Sequence, residues 1–141
     1  MDKASINGKD VYKISEETCR RMFDIASEHL KDTYPHSLKQ GYVAAVLTKE
    51  GHIYPGISYA SDTLTLTMHA EAVALAHAAV HGAKDIIAIT GPNCHICKQL
   101  IYENSIRSKI DILVIIEEKG VIKQIPISKL MPYPWPEKPS L

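Results

Sequence analysis

The chain has 141 residues, 16 basic against 16 acidic side chains, seven His, three Cys and a hydrophobic content of 45%. That length and apolar content suit one domain over 1–141 with a buried core, and zero formal net charge excludes a generally basic nucleic-acid coat and any broad attraction to anionic membranes. Met1-Asp2-Lys3 leads into a polar stretch with no apolar signal core, and no apolar run approaches a membrane span, so a soluble cytoplasmic protein is expected.

The first clear element is a helix with Ser15 as N-cap and Glu16 and Glu17 in the first turn, where the helix dipole favours acids. Cys19, Met22, Phe23, Ala26 and Leu30 recur at helical spacing and predict one buried face, and Tyr34-Pro35 ends the element. Residues 41–47 (GYVAAVL) predict a strand, turned by Lys49-Glu50-Gly51-His52 into a second strand over 53–59. Residues 68–81 (MHAEAVALAHAAVH) contain no Gly or Pro, stop at Gly82, and predict a helix apolar almost all round, buried against a sheet.

Residues 86–90 (IIAIT) predict a short strand, broken by Gly91-Pro92-Asn93, after which a helix is expected over 94–105 with Asn93 as its cap. The apolar run 110–116 predicts a strand covered on both faces, and a turn at 117–120 leads into a last strand over 121–127. Pro132, Pro134, Pro136 and Pro139 keep the tail, 132–141, extended. The order α-β-β-α-β-α-β-β predicts an α/β layered sheet with helices packed on it.

Two short stretches carry the chemistry: His69-Ala70-Glu71 and Pro92-Asn93-Cys94-His95-Ile96-Cys97. Each lies at a predicted helix start. Cys94 and Cys97, three apart, share a face of the first turn, where the dipole should help both thiols ionise. Two thiolates and the His69 imidazole make three ligands for a tetrahedral Zn²⁺ with the fourth position open, the arrangement of a catalytic zinc. Glu71, two residues after His69, points beside the metal and can carry a proton from a water to a ring nitrogen and a leaving amine. The pattern H-x-E followed by P-C-x-x-C is that of zinc-dependent nucleobase deaminases, apart from Asn93 inserted between Pro92 and Cys94.

On these residues the chain resembles the cytidine deaminase family, including its blasticidin-S-deaminase-like members. The resemblance extends to Val43-Ala44-Ala45-Val46, to Gly56-Ile57 with Leu66-Thr67, and to Leu130-Met131-Pro132. It implies α-β-α layers around a five-stranded mixed sheet, one zinc per subunit, hydrolytic loss of ammonia from a cytosine-type ring, and a homo-oligomer, with a tetramer favoured over a dimer. It also implies substrate contacts from Ala70 and Pro92 to the base edge. Small members of the family typically use three Cys ligands and an Arg after the catalytic Glu. His69 and Ala72 stand at those positions here, and a neutral His-Cys-Cys zinc site has no charge for an Arg to offset. The family's ribose-holding Asn-x-Glu pair falls at Ser58 and Ala60, and its aromatic over the base at Gly41, with Tyr42 beside it.

Simpler readings compete for some residues. Cys94 and Cys97 could form a redox pair, a reading that leaves His69 and Glu71 unexplained. His95 should point away from the cysteine face, Cys19 reads as core, and His77 and His81 read as packing or helix-end charge pairing. Tyr133 and Trp135 could line an interface, cover an active site, or belong to a loose tail. The leading functional expectation is a zinc-dependent aminohydrolase acting on cytidine, deoxycytidine or a related small aminopyrimidine. The alternatives are a non-catalytic zinc protein of the same fold and a deaminase of a blasticidin-type heterocycle. Nothing in the chain offers the basic cluster that a nucleic-acid substrate would require.

Overall fold

The structure, a computed structural model, describes residues 2–141; Met1, part of the polar N-terminal stretch, lies outside them. The chain opens with a hairpin that the pattern analysis does not anticipate. Strands β1 (Asp2–Ile6) and β2 (Lys9–Lys13) pair antiparallel with Ile6 opposite Lys9. Asn7 and Gly8 between them both have positive φ, 52° and 78°, the backbone a two-residue type I′ turn requires. Asn-Gly was the available signal. It is easily passed over because β1 is exposed along its whole length and lacks an alternating apolar face. Backbone bonds from Asp10 N–H to the Lys109 carbonyl (2.9 Å) and from Asp111 N–H to the Asp10 carbonyl (2.8 Å) fasten β2 to the rest of the fold.

Helix α1 (Glu16–Glu28) starts as expected, with Ser15 Oγ accepting from Thr18 N–H at 3.1 Å. Its buried stripe is Cys19, Met22 and Ala26. Leu30 does not belong to it: the α-helix stops at Glu28, a 3₁₀ turn (Leu30–Asp32) follows, and Leu30 is left exposed.

The main sheet is five-stranded and mixed, as the resemblance implies. Strands β3 (Val43–Thr48), β4 (Ile53–Ile57), β5 (Ile86–Thr90), β6 (Leu113–Glu118) and β7 (Val121–Pro126) stand in the order β4-β3-β5-β6-β7. Only the β5–β6 pair is parallel. Helices α2 (Ala70–Val80) and α3 (His95–Ser108) complete the set. β5 is buried throughout and β3 nearly so, while α1 and α2 both pack on β3 and β4, so helices cover both faces of the central strands. The 110–116 run enters the sheet only at Leu113, because Ile110 instead pairs with Asp10 of the hairpin.

Two features of α2 position the site. Its buried side is Ala70, Glu71, Ala74 and Ala78, whereas Ala76, Ala79 and Val80 face outward, so the helix is half buried rather than enclosed. And it lies directly on Gly56 of β4: a Cβ there would collide with the Ala70 carbonyl and the Ala74 backbone. Backbone cannot rotate out of the way as a side chain can, so the contact sets how closely the start of α2 approaches the sheet. Gly56→Ala is therefore expected to lower the unfolding free energy by about 1–3 kcal/mol, the usual range for overpacking. Urea unfolding followed by circular dichroism checks this; an unchanged midpoint would show that α2 is free to move.

Candidate metal centre and pocket

Two helix starts meet at the carboxyl end of β5. His69 is the N-cap residue of α2 and Cys94 that of α3, and neither side chain makes a capping hydrogen bond. The groups that would ordinarily satisfy the first-turn N–H donors are thus free to face each other. The helix begins one residue later than expected: Cys94, not Asn93, is the cap, and Asn93 adopts a left-handed backbone (φ 61°) that Asn tolerates better than most residues. The extra residue is absorbed in this kink, and Cys97 still reaches the first turn.

His69, Cys94 and Cys97 offer ligand atoms that all lie within 4.8 Å of one another, with His69 Nδ1 3.3 Å from Cys97 Sγ. An imidazole and two sulfurs at this separation fit a tetrahedral zinc with one position left for a small molecule. The redox reading fares less well, because an imidazole is drawn into the same cluster. His95 is exposed, as expected from its place between the two cysteines.

The electrostatics correct one expectation. Cys97 lies near a helix N-terminus, yet its thiol is pushed well above the usual value, first by burial and then by the neighbouring charges of Glu71 and Cys94. Desolvation and like charge both disfavour the thiolate. A thiolate at Cys97 therefore depends on a cation among these three side chains. Burial, followed by Glu16, also raises the thiol of Cys19, in keeping with a core residue.

Glu71 is the most unusual group in the molecule. It is 2% exposed, and neither carboxylate oxygen has a hydrogen-bond partner among the described residues. A buried carboxyl group without a partner is costly, so a group outside the protein chain is needed to satisfy it. The Glu71 side chain has room only because residue 91 is glycine: a Cβ there would stand 2.7 Å from Glu71 Cγ and 2.9 Å from Cδ. In sequence Gly91 is only a strand breaker, and nothing local to it reveals that it faces a carboxylate 20 residues earlier.

A pocket of about 440 Å³ opens beside this cluster, lined by His69, Ala70, Glu71, Pro92 and Cys94 together with Tyr42, Ser58 and Ala60. All four residues expected to contact substrate (Ala70, Tyr42, Ser58 and Pro92) thus share one cavity with the metal cluster. Gly41 is not among its lining residues and is pressed against Thr33 instead. Pattern reasoning missed Leu38, Thr67 and Met68, which join the wall from loops where neither periodicity nor motif spacing gives a signal. The Pro-rich tail takes no part in that wall: Gln99 Nε2 donates to the Trp135 carbonyl (2.7 Å) and the Tyr102 hydroxyl to the Pro136 carbonyl (2.6 Å), strapping it to α3. His77 and His81 sit with Tyr54 near the far end of α2, His77 Nδ1 2.8 Å from the Pro55 carbonyl, which is a packing role.

Comparison with known proteins adds a family model described as the cytidine and deoxycytidylate deaminase zinc-binding region, which matches residues 16–112. No curated protein matches the chain. Among solved structures, cytidine deaminase from Burkholderia pseudomallei superposes with a TM-score of 0.71 at 19% identity, over 86% of this chain and 100% of that one. The Mycobacterium tuberculosis cytidine deaminase gives 0.67 at 16% identity over 82% and 95%, and the Bacillus anthracis enzyme 0.62 at 16% over 83% and 89%. At such identities these matches establish the fold.

The donor set leads to a direct expectation for metal content. The purified protein should hold one zinc per chain; Cys97→Ala should lose it, and Cys19→Ala should keep it. Metal analysis by mass spectrometry after dialysis decides this, and zinc retained in Cys97→Ala would remove that thiol from the ligand set.

Proposed function

The chain belongs to the cytidine and deoxycytidylate deaminase zinc-binding family, and from that premise we propose that it is a hydrolytic deaminase of a small aminopyrimidine or related aminated heterocycle. The observation that carries the reading is the buried, unpartnered carboxylate of Glu71 beside the His69, Cys94 and Cys97 cluster. A hydrolase needs an acid–base residue held dry and within reach of the reacting atoms, and Glu71 meets that need.

Zinc held by His69, Cys94 and Cys97 would supply the Lewis acidity that makes water a nucleophile near neutral pH. Glu71 takes the proton of the attacking water, delivers it to the ring nitrogen next to the amino-bearing carbon, and then assists the leaving amine. One C–O bond forms, the exocyclic C–N bond breaks, and ammonia leaves while the ring carbon becomes a carbonyl. The wall at Ala70 and Pro92 orients the ring edge, and Tyr42 offers an aromatic face at the mouth. Gly91 keeps the carboxylate in place by leaving it space.

A homo-oligomer, with a tetramer favoured, belongs to the same proposal. Its support is the resemblance to the family's small members, and the exposed apolar side chains Leu64, Leu66, Val80 and Ile96 are available to interfaces. No helix among the described residues is long and apolar enough to cross a membrane, and three free cysteines suit a cytoplasmic setting. Light scattering measures the assembly directly; a monomer at micromolar concentration would remove that part.

Glu71→Gln is expected to keep fold and zinc while ammonia release falls by about 10²–10⁴-fold, the usual worth of general acid–base catalysis. A coupled ammonia assay over cytidine, deoxycytidine, cytosine and other aminated heterocycles measures it. Undiminished turnover in Glu71→Gln would overturn the mechanism.

A further inference from the structure

The geometry points to a second metal site at the end of α2 remote from the pocket, where His77 and His81 form a chelate for a divalent transition ion such as Zn²⁺. His69 caps the start of α2 and His81 its end. The helix between them spans about 18 Å at about 1.5 Å per residue, so the two sites share no donor. Spacing comes first. Residues four apart in a helix lie one above the other on one face, and His81 N–H still donates to the His77 carbonyl (3.3 Å), which keeps the helical register through both. Their ring centroids stand 5.0 Å apart. Two imidazoles on a tetrahedral zinc, with Zn–N bonds of about 2.0–2.1 Å, place their centroids about 5 Å apart.

The contact that packs His77 also aims it. His77 Nδ1 lies 2.8 Å from the Pro55 carbonyl. A carbonyl only accepts, so Nδ1 carries the proton and the lone pair of the neutral ring sits on Nε2. Metal-ligating histidines are held in the same manner, by donating their other ring N–H to a carbonyl or carboxylate. His81 is laid nearly flat on Tyr54, with centroids 5.1 Å apart and planes at 20°, and Tyr54 meets His77 edge-on at 5.3 Å. One tyrosine thus restrains both rings, so less side-chain freedom is lost when an ion binds.

The surroundings suit a cation. The last turn of α2 is the negative end of its dipole. His77 is half-buried and His81 exposed, which leaves the other coordination positions to water, so the pair needs no residue from a second chain. Imidazole donors select zinc, nickel or copper over magnesium and calcium. Two neutral donors hold an ion less tightly than the imidazole and two thiolates of His69, Cys94 and Cys97, so the ion at His77 and His81 is the one that dialysis removes.

The experiment titrates Zn²⁺ into the zinc-loaded, dialysed protein by isothermal calorimetry. A further, weaker equivalent per chain is expected, and Mg²⁺ should give none. His81→Ala and His77→Gln should each weaken that step by at least about tenfold, since even the loss of an outer-shell partner costs a metal site about 10–100-fold. Both variants should keep the tightly held zinc, and His36→Ala, which removes an exposed imidazole elsewhere, should change neither step. Thermal melting gives an independent readout. Excess Zn²⁺ should raise the midpoint of the unmodified protein but not that of His81→Ala, because an ion bridging successive turns binds only the folded helix. The site is overturned by the absence of a second zinc, by its retention at unchanged affinity in either variant, or by Mg²⁺ binding as well as Zn²⁺. The deaminase reading, which rests on Glu71 and the cluster at the other end of α2, stands or falls separately.

Discussion

A carboxylate buried without a partner is the constraint around which this molecule is arranged. Glu71 cannot turn outward, because it lies on the inner face of α2 with Ala70, Ala74 and Ala78. Neither carboxylate oxygen has a hydrogen-bond partner among the described residues, and the residue packed against the side chain is Gly91. The close approach that creates this confinement comes from small residues: glycine on β4 beneath the helix and a run of alanines along it. A larger side chain at either place would separate helix from sheet and let the carboxylate reach water. The local instability is offset by packing elsewhere, in the enclosed strands β3 and β5, and it is the sort of strain that functional sites keep.

The metal cluster is built from the same economy of position. Both His69 and Cys94 occupy N-caps, where Ser, Thr, Asp or Asn would satisfy the first-turn donors. Placing ligands there forgoes two caps and leaves two helix N-termini pointing at one spot. Cys97, one turn further in, is buried deeply enough that its thiol holds its proton unless a cation is near. Metal affinity and local order are therefore coupled. The insertion at Asn93 does not disturb this, since one left-handed residue takes up the extra length ahead of the helix.

Floor and wall of the pocket follow different rules. The floor holds Glu71 beside His69 and Cys94 and comes from two helix starts held against the sheet. The wall comes from loops around Leu38, Ser58 and Met68, in which Tyr42 bonds to Ser58 and Ser61 to Thr67. Such a division lets one fold keep a reaction while exchanging its substrate, because a loop residue can change without moving the metal.

Much was legible without the structure. The three helices and five sheet strands follow from periodicity and from Gly, Pro and Ser punctuation, and the zinc cluster from two spaced motifs, because these signals reside within a dozen neighbouring residues. Elements set by distant partners were not legible in the same way. The N-terminal hairpin depends on a bridge from Asp10 to Ile110, the exposure of Leu30 on where α1 unwinds, and the tail on Gln99 and Tyr102 of α3. The metal-free Cys97 thiol shows the same limit: a helix dipole can be inferred from position in a helix, whereas burial beside Glu71 can not. By itself, the sequence determined which chemistry the chain can carry, since ligand type and spacing are local properties. Only the tertiary structure decided that Gly91 shelters Glu71 and that the loops around Leu38, Ser58 and Met68 share one pocket with His69 and Cys94, because both bring together residues far apart in the chain.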